Sequence, residues 1–233
     1  MEAGIAFHVT ARGNYRQTVF LADHDRAEYL GLLDKHATAE GTEILGWCLM
    51  TNHMHLLAVP RTGRSLAQTM RRLQSEYALR LNRRQGCRSG HLWQSRFYSC
   101  PVDGQAIWTV LRYIERNPVR AGLVERAEQS DWSSAPVHCG LRTAPAMLSL
   151  KAWAGLWTAS RWQSVLAYGE DERQIAAIRE ATSRGRPLGD DAFLAELERH
   201  AGRPLTARPN GRPRQCEAPL IAATSAAGGT LPD

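Results

Sequence analysis

The order of elements predicts an α+β fold: a four-stranded antiparallel sheet with helices on one face and a tyrosine-bearing helix on the other. Three observations carry this. Short apolar runs bounded by turn residues fall at 5–11, 43–50, 53–59 and 96–102, as strands do. Helical periodicity falls between them, over 24–40 and 66–84. The resulting order, strand–helix–strand–strand–helix–strand, is a split pairing that closes into one antiparallel sheet.

The first strand alternates, with Ile5, Phe7 and Val9 on one face and Ala6, His8 and Thr10 on the other. Arg12-Gly13-Asn14 reads as its closing turn. Asp23 is expected to cap the helix over 24–40, where Tyr29, Leu32, Leu33 and His36 recur at helical spacing before Gly41. The run 43–50 is too continuously apolar for a strand with one face in water. Thr51-Asn52 turns it into 53–59, and both strands are expected to be central and covered on both faces.

Ser65 is expected to cap the helix over 66–84, with its apolar stripe Leu66, Met70, Leu73, Tyr77 and Leu81. The opposite side carries Arg71, Arg72, Arg80, Arg83 and Arg84, with Glu76 as its only acid, and the basic run continues through Arg88 and Arg96. A one-signed face of this kind suits phosphate. Asp103 opens a helix over 104–116, with Ile107, Val110, Leu111 and Ile114 as its apolar stripe. Tyr113 and Asn117 lie four apart on it, and Pro118 makes Asn117 a boundary residue. Trp132 reads as a packing residue in a capped turn, and 145–182 and 190–201 read as helical. The chain therefore divides into a core over 1–137, a helical appendage over 138–201 and a basic Pro/Gly/Arg-rich tail over 202–233, expected to be disordered.

Composition narrows the class. The hydrophobic fraction of 43% supports a core, and the net charge of +6 is carried almost entirely by arginine, since lysine occurs only at Lys35 and Lys151. Arginine's planar fork fits phosphate and stacks on bases, although a GC-rich coding sequence produces the same bias. The five cysteines form no C-x-x-C pair. With no apolar stretch long enough for a membrane span and no signal peptide, the expected setting is a reducing cytoplasm.

The fold brings scattered residues together. On a strand, His53 and His55 point the same way and Met54 points into the core. If the 104–116 helix covers that face, Asn117 supplies a third donor and Tyr113 a nucleophile. Two imidazoles and a carboxamide oxygen leave positions open for substrate oxygens and suit Mg²⁺ or Mn²⁺, with Zn²⁺ not ruled out by the donor set. Each residue alone has an ordinary reading: the histidines as packing, Tyr113 as a core aromatic, Asn117 as a helix cap.

Five stretches in order resemble the IS200-like tyrosine transposases, in the branch associated with repetitive extragenic palindromes. They are His8-Val-Thr-Ala-Arg-Gly-Asn14, Trp47-Cys-Leu-Met-Thr-Asn-His-Met-His-Leu-Leu57, Gly90-His-Leu-Trp-Gln-Ser-Arg-Phe97, Tyr113-Ile-Glu-Arg-Asn-Pro-Val-Arg-Ala-Gly-Leu-Val124 and Asp131-Trp-Ser-Ser134. The resemblance implies a ferredoxin-like core and a metal-dependent single-strand DNA endonuclease with a histidine–hydrophobic–histidine motif and one catalytic tyrosine. It places the motif on His53, Met54 and His55, the nucleophile on Tyr113 and the helix ligand on Asn117. It implies cleaving and joining beside imperfect hairpins through a 5′-phosphotyrosine link. DNA contacts are expected from Arg12, Arg71, Arg72, Arg80, Arg83, Arg84, Arg88, Gln94, Arg96 and Arg120. Mobile relatives act as dimers and the palindrome-associated branch includes monomers, so monomer and homodimer both stay open. Two other classes compete: a non-catalytic regulator that binds hairpin DNA or RNA, and a zinc-dependent phosphodiesterase.

Overall fold

The computed structural model describes residues 2–86 and 91–205. Arg88 and the tail beyond 205 lie outside the described residues, and with them the expectations placed there. The elements run β1 (Ala6–Arg12), α1 (Asp23–Glu40), β2 (Thr42–Met50), β3 (His53–Pro60), α2 (Ser65–Arg84), β4 (Tyr98–Val102), α3 (Ile107–Glu115) and α4 (Asn117–Arg120). Five further helices follow: α5 (Ala135–His138), α6 (Lys151–Ala154), α7 (Ala159–Ala167), α8 (Glu172–Arg184) and α9 (Asp191–Ala201). The stretch 145–182, expected to be helical, is not so over 145–150, where Leu148 bridges to Ile44 of β2, and its helices α6, α7 and α8 are separated by 155–158 and 168–171. No helix among the described residues is long and apolar enough to cross a membrane.

The four strands form one antiparallel sheet in the order β2-β3-β1-β4, which is the predicted fold. β2 is an edge strand rather than a central one. It is buried all the same, because returning chain covers its free side. Leu49 N–H donates to the Trp132 carbonyl at 2.9 Å, Ser134 N–H to Trp47 at 3.0 Å and Ser149 N–H to Ile44 at 2.8 Å. The Asp131–Ser134 turn thus pairs the backbone groups that an edge leaves open. Leu188 does the same at β4, donating to the Pro101 carbonyl at 2.9 Å.

The period of two separates two cores. Phe7, Val9, Met54 and Leu56 face α1 and α2 and pack on Tyr29, Leu33, Leu73 and Tyr77. Cys48, Met50, Leu57 and Cys100 face the other way, onto Val110, Leu111 and Ile114 of α3. Trp162 of α7 and Ile175 and Ile178 of α8 join this second core, so the C-terminal helices are packed around the tyrosine helix.

Capping differs in detail from expectation. Ala22 occupies the position before α1, and the Asp25 carboxylate accepts from the N–H groups of Leu21 at 2.8 Å and Ala22 at 3.0 Å. Asp23 instead accepts from the Trp132 indole at 3.0 Å and ties the edge-covering turn to α1.

Candidate active site

Strand register builds one wall of the site. Antiparallel pairing sets Thr10 opposite His55 and Arg12 opposite His53, with His8 one step further along the same face. These five side chains line a cavity of about 630 Å³. Tyr113, Asn117 and Arg120 line it from the α3–α4 segment, and Arg179 and Thr182 from α8. His53, His55, Tyr113 and Asn117, spread over some sixty positions of sequence, therefore share one cavity.

The α3–α4 segment is shaped by its proline. α3 ends at Glu115, Arg116 carries ψ near 0°, and α4 restarts with Asn117 and Pro118 in its first turn, where a missing N–H costs nothing. The Asn117 amide nitrogen donates to the freed carbonyls of Tyr113 at 3.2 Å and Ile114 at 3.1 Å. That cap leaves the carboxamide oxygen as the group available to a cation. Asn117 is thus both the helix cap of its ordinary reading and a side chain of the cavity wall.

The two motif histidines each have one ring nitrogen engaged. His53 Nδ1 lies 2.7 Å from the Asn52 amide oxygen, so it donates and Nε2 keeps the lone pair. His55 Nδ1 lies 2.9 Å from His8 Nε2. Burial, helped by the Arg12 charge, lowers the His53 pKa to about 4. Burial with Arg120 nearby lowers that of His8 to about 3, and burial followed by the charges of His8 and His53 takes His55 well below the ordinary range. All three are neutral imidazoles near neutral pH, the form that can ligate a metal. Among the described residues no group of three or more His, Cys, Asp or Glu side chains is placed to hold an ion. The candidate set differs in taking its third donor from an amide; neutral imidazoles and a carboxamide oxygen are donor types that divalent cations accept.

Tyr113 is buried but lines the cavity. His8 and His55 meet its ring edge-on at centroid distances of 5.7 and 5.8 Å. The Arg120 guanidinium lies 4.2 Å from the ring centroid and is held by an ion pair with Glu170.

Beneath the site a buried acid joins three elements. Glu115, fully buried at the end of α3, accepts from Ser134 at 2.6 Å, from His138 Nδ1 at 2.6 Å and from the Trp162 indole at 2.8 Å. It fastens the tyrosine helix to the β2 edge and to α7. A lone glutamate in an apolar stripe gives no sign of this in sequence, and neither does Thr182. His8 is different: its place on the His53/His55 face follows from strand parity once β1 and β3 are paired.

The arginines fall into separate groups. α2 covers the sheet face opposite the cavity, so its basic side is not beside the histidines. Acids from α1, invisible on a helical wheel of α2, meet it: Arg72 pairs with Glu40 at 2.7 Å, Arg80 with Glu28 as well as with Glu76 of its own helix, and Arg84 with Asp25 and Glu28. Arg83 is exposed. Arg12 and Arg120 line the first cavity, and Arg71 and Arg96 line a second of about 990 Å³ between α2 and residues 91–99. Gln94 lines both.

Residues 2–117 match the family described as Transposase IS200 like. Among solved structures, the chain is similar to a REP-associated tyrosine transposase bound to a REP hairpin, at 18% identity and a TM-score of 0.51. That match covers 64% of this chain and 87% of the other. A suspected transposase from Deinococcus radiodurans is 22% identical over 50% of this chain and 92% of its own, with a TM-score of 0.34. No curated protein matches. The match to the first structure supports the fold.

Proposed function

We propose that this chain is an IS200-like tyrosine transposase of the palindrome-associated branch, which nicks and rejoins single-stranded DNA beside hairpins. The observation that carries the reading is the convergence of His53, His55, Tyr113 and Asn117 on one cavity. The family match over 2–117 ends on the last of these residues.

On this reading the Nε2 atoms of His53 and His55 and the Asn117 carboxamide oxygen hold Mg²⁺ or Mn²⁺. When bound, the ion withdraws charge from a scissile phosphate and stabilises charge developing on its oxygens. Tyr113 is the nucleophile. Its Oη forms a bond to phosphorus as the bond from phosphorus to the deoxyribose 3′-oxygen breaks. The phenol gives up its proton, and the departing oxygen takes one up to become a 3′-hydroxyl. One phosphodiester replaces another, so no nucleotide is consumed, and attack by a different 3′-hydroxyl reverses the step and joins the ends. Arg120 keeps a positive charge against the ring on which negative charge develops. A strand leaving the first cavity passes Gln94 into the second, where Arg71 and Arg96 meet its phosphates.

The test is incubation of a labelled single-stranded hairpin, taken from DNA flanking the gene, with Mg²⁺ or Mn²⁺ before a denaturing gel. The proposal expects a slow-migrating DNA–protein adduct that needs the ion and disappears in Tyr113→Phe. A nick that persists in full in Tyr113→Phe sinks the tyrosine mechanism. Hairpin binding indifferent to chelator, with no adduct, identifies a non-catalytic regulator instead. Zinc-dependent turnover of small phosphodiesters without DNA identifies a phosphodiesterase.

A further inference from the structure

The hydrogen bonds behind the candidate ligands continue into the C-terminal helices. His8 Nε2 lies 2.9 Å from His55 Nδ1, and His8 Nδ1 lies 2.7 Å from Thr182 Oγ1 on α8. Thr182 Oγ1 lies in turn 2.7 Å from the carbonyl oxygen of Ile178, one helical turn back. His8, His55 and Thr182 are all buried.

The direction of each bond in this row follows from its far end. A carbonyl only accepts, so the single hydroxyl proton of Thr182 is committed to Ile178. Thr182 Oγ1 can then only accept from His8, which places the proton of that neutral imidazole on Nδ1. Cys100 Sγ, 3.4 Å from the same oxygen, is a second donor to it. His8 Nε2 is left with a lone pair, so His55 must donate to it through Nδ1. His55 Nε2 is therefore the unprotonated nitrogen.

We infer that Thr182 of α8 is a positioning residue that, through His8, fixes the tautomer of His55 so that Nε2 presents a lone pair to a metal ion. The inference rests on the reading of His55 as a ligand. An imidazole ligates only through its unprotonated nitrogen, and the group bonded to the other nitrogen decides which one that is. Without an acceptor beside His8 the row can reverse, putting the proton on His55 Nε2 and blocking the ligand position. The sheet supplies the ligand, and a helix from outside the family-matched stretch sets its proton.

The test uses the full chain labelled with ¹⁵N-histidine. Long-range ¹H–¹⁵N correlation in the metal-free protein reads which nitrogen of His8 and His55 carries the proton, and a titration reads Mn²⁺ affinity. Wild type is expected to show Nδ1–H on both rings. Thr182→Val keeps the branched shape and removes the acceptor. It is expected to mix the His55 tautomers and weaken Mn²⁺ binding roughly 10- to 100-fold, the usual effect of losing a ligand's outer partner. Thr182→Ser is expected to restore both. An Nε2–H tautomer of His55 in wild type overturns the inference, whether or not Thr182→Val folds. So does a folded Thr182→Val with unchanged tautomer and affinity. Failure of wild type to bind Mn²⁺ removes the ligand reading itself, while the tautomer result decides the hydrogen-bond row separately.

Discussion

Gly46→Ala tests how the tyrosine helix is seated. Gly46 lies at the bulge in β2, where the register against β3 shifts between Ile44 and Gly46. A Cβ added there would stand 2.3 Å from Leu111 Cδ1 and 3.0 Å from Ser134 Oγ. Carbon atoms rest about 3.5–4.0 Å apart, so roughly 1.2–1.7 Å must be found. Ser134 has little freedom to give, being bonded to the Trp47 N–H at 3.0 Å and to Glu115 at 2.6 Å. Leu111 is fully buried and sits two residues from Tyr113, so the displacement falls on α3. Overpacking of this kind costs about 1–3 kcal/mol, or roughly 2–12 °C of melting temperature for a chain this long. On the proposed function, adduct formation also falls, by up to about 100-fold for a shift near 1 Å. The assay is thermal unfolding of Gly46→Ala, Leu111→Val and the double variant. Removing the obstructing methyl reach should make the double less destabilised than the sum, with a coupling of about 0.5–3 kcal/mol. An unchanged melting temperature in Gly46→Ala, or strict additivity, refutes the seating argument.

Glu115→Ala leaves His138 Nδ1 and the Trp162 indole buried without their acceptor, while Ser134 keeps the Trp47 carbonyl at 3.3 Å, and denaturant unfolding should show a loss of about 2–6 kcal/mol, from about 1–3 for each stranded group. Arg80→Ala and Arg84→Ala should barely change hairpin affinity, because α1 already balances those charges. Arg71→Ala and Arg12→Ala should each weaken binding and reduce the slope of log affinity against log salt by about 1. Glu76, lowered to a pKa of about 2 chiefly by the Lys35 hydrogen bond, favours the folded state above pH 4.5 and loses that contribution as pH falls towards 2. Unfolding midpoints of wild type and Glu76→Gln should therefore differ slightly near pH 7 and converge in acid, with exposure keeping the difference small.

The sheet was legible because its strands carry their own boundaries and parity. Alternation in 5–11 and the His53-Met54-His55 pattern are local properties, and pairing them brings Arg12 and Thr10 to the histidines without further information. The edge position of β2 was not legible. Its burial comes from Trp132, Ser134 and Ser149, which return to it from more than eighty residues along the chain, and continuous hydrophobicity reads the same in a covered edge and in a centre. The ion pairs of the α2 stripe were not legible for a related reason: a helical wheel shows one helix, whereas Glu28 and Asp25 arrive from its neighbour. Asn117 reads in sequence as a cap or as a ligand, and the structure makes the cap with the nitrogen end of the amide while the oxygen end takes no part in it. Thr182 and Glu115 could not be found at all, since a threonine and a glutamate in amphipathic helices look like solvated positions until packing buries them.

On the proposed function, Tyr113 becomes bonded to DNA in the cavity that holds His53 and His55. Mass spectrometry of the protease-digested adduct, formed on a single-stranded hairpin with Mn²⁺, tests it most directly. One modified peptide is expected, carrying a 5′-phosphonucleotide on Tyr113, and none when His55→Ala replaces the motif histidine. Cleaved DNA with no modified peptide, or a link on any other residue, contradicts it.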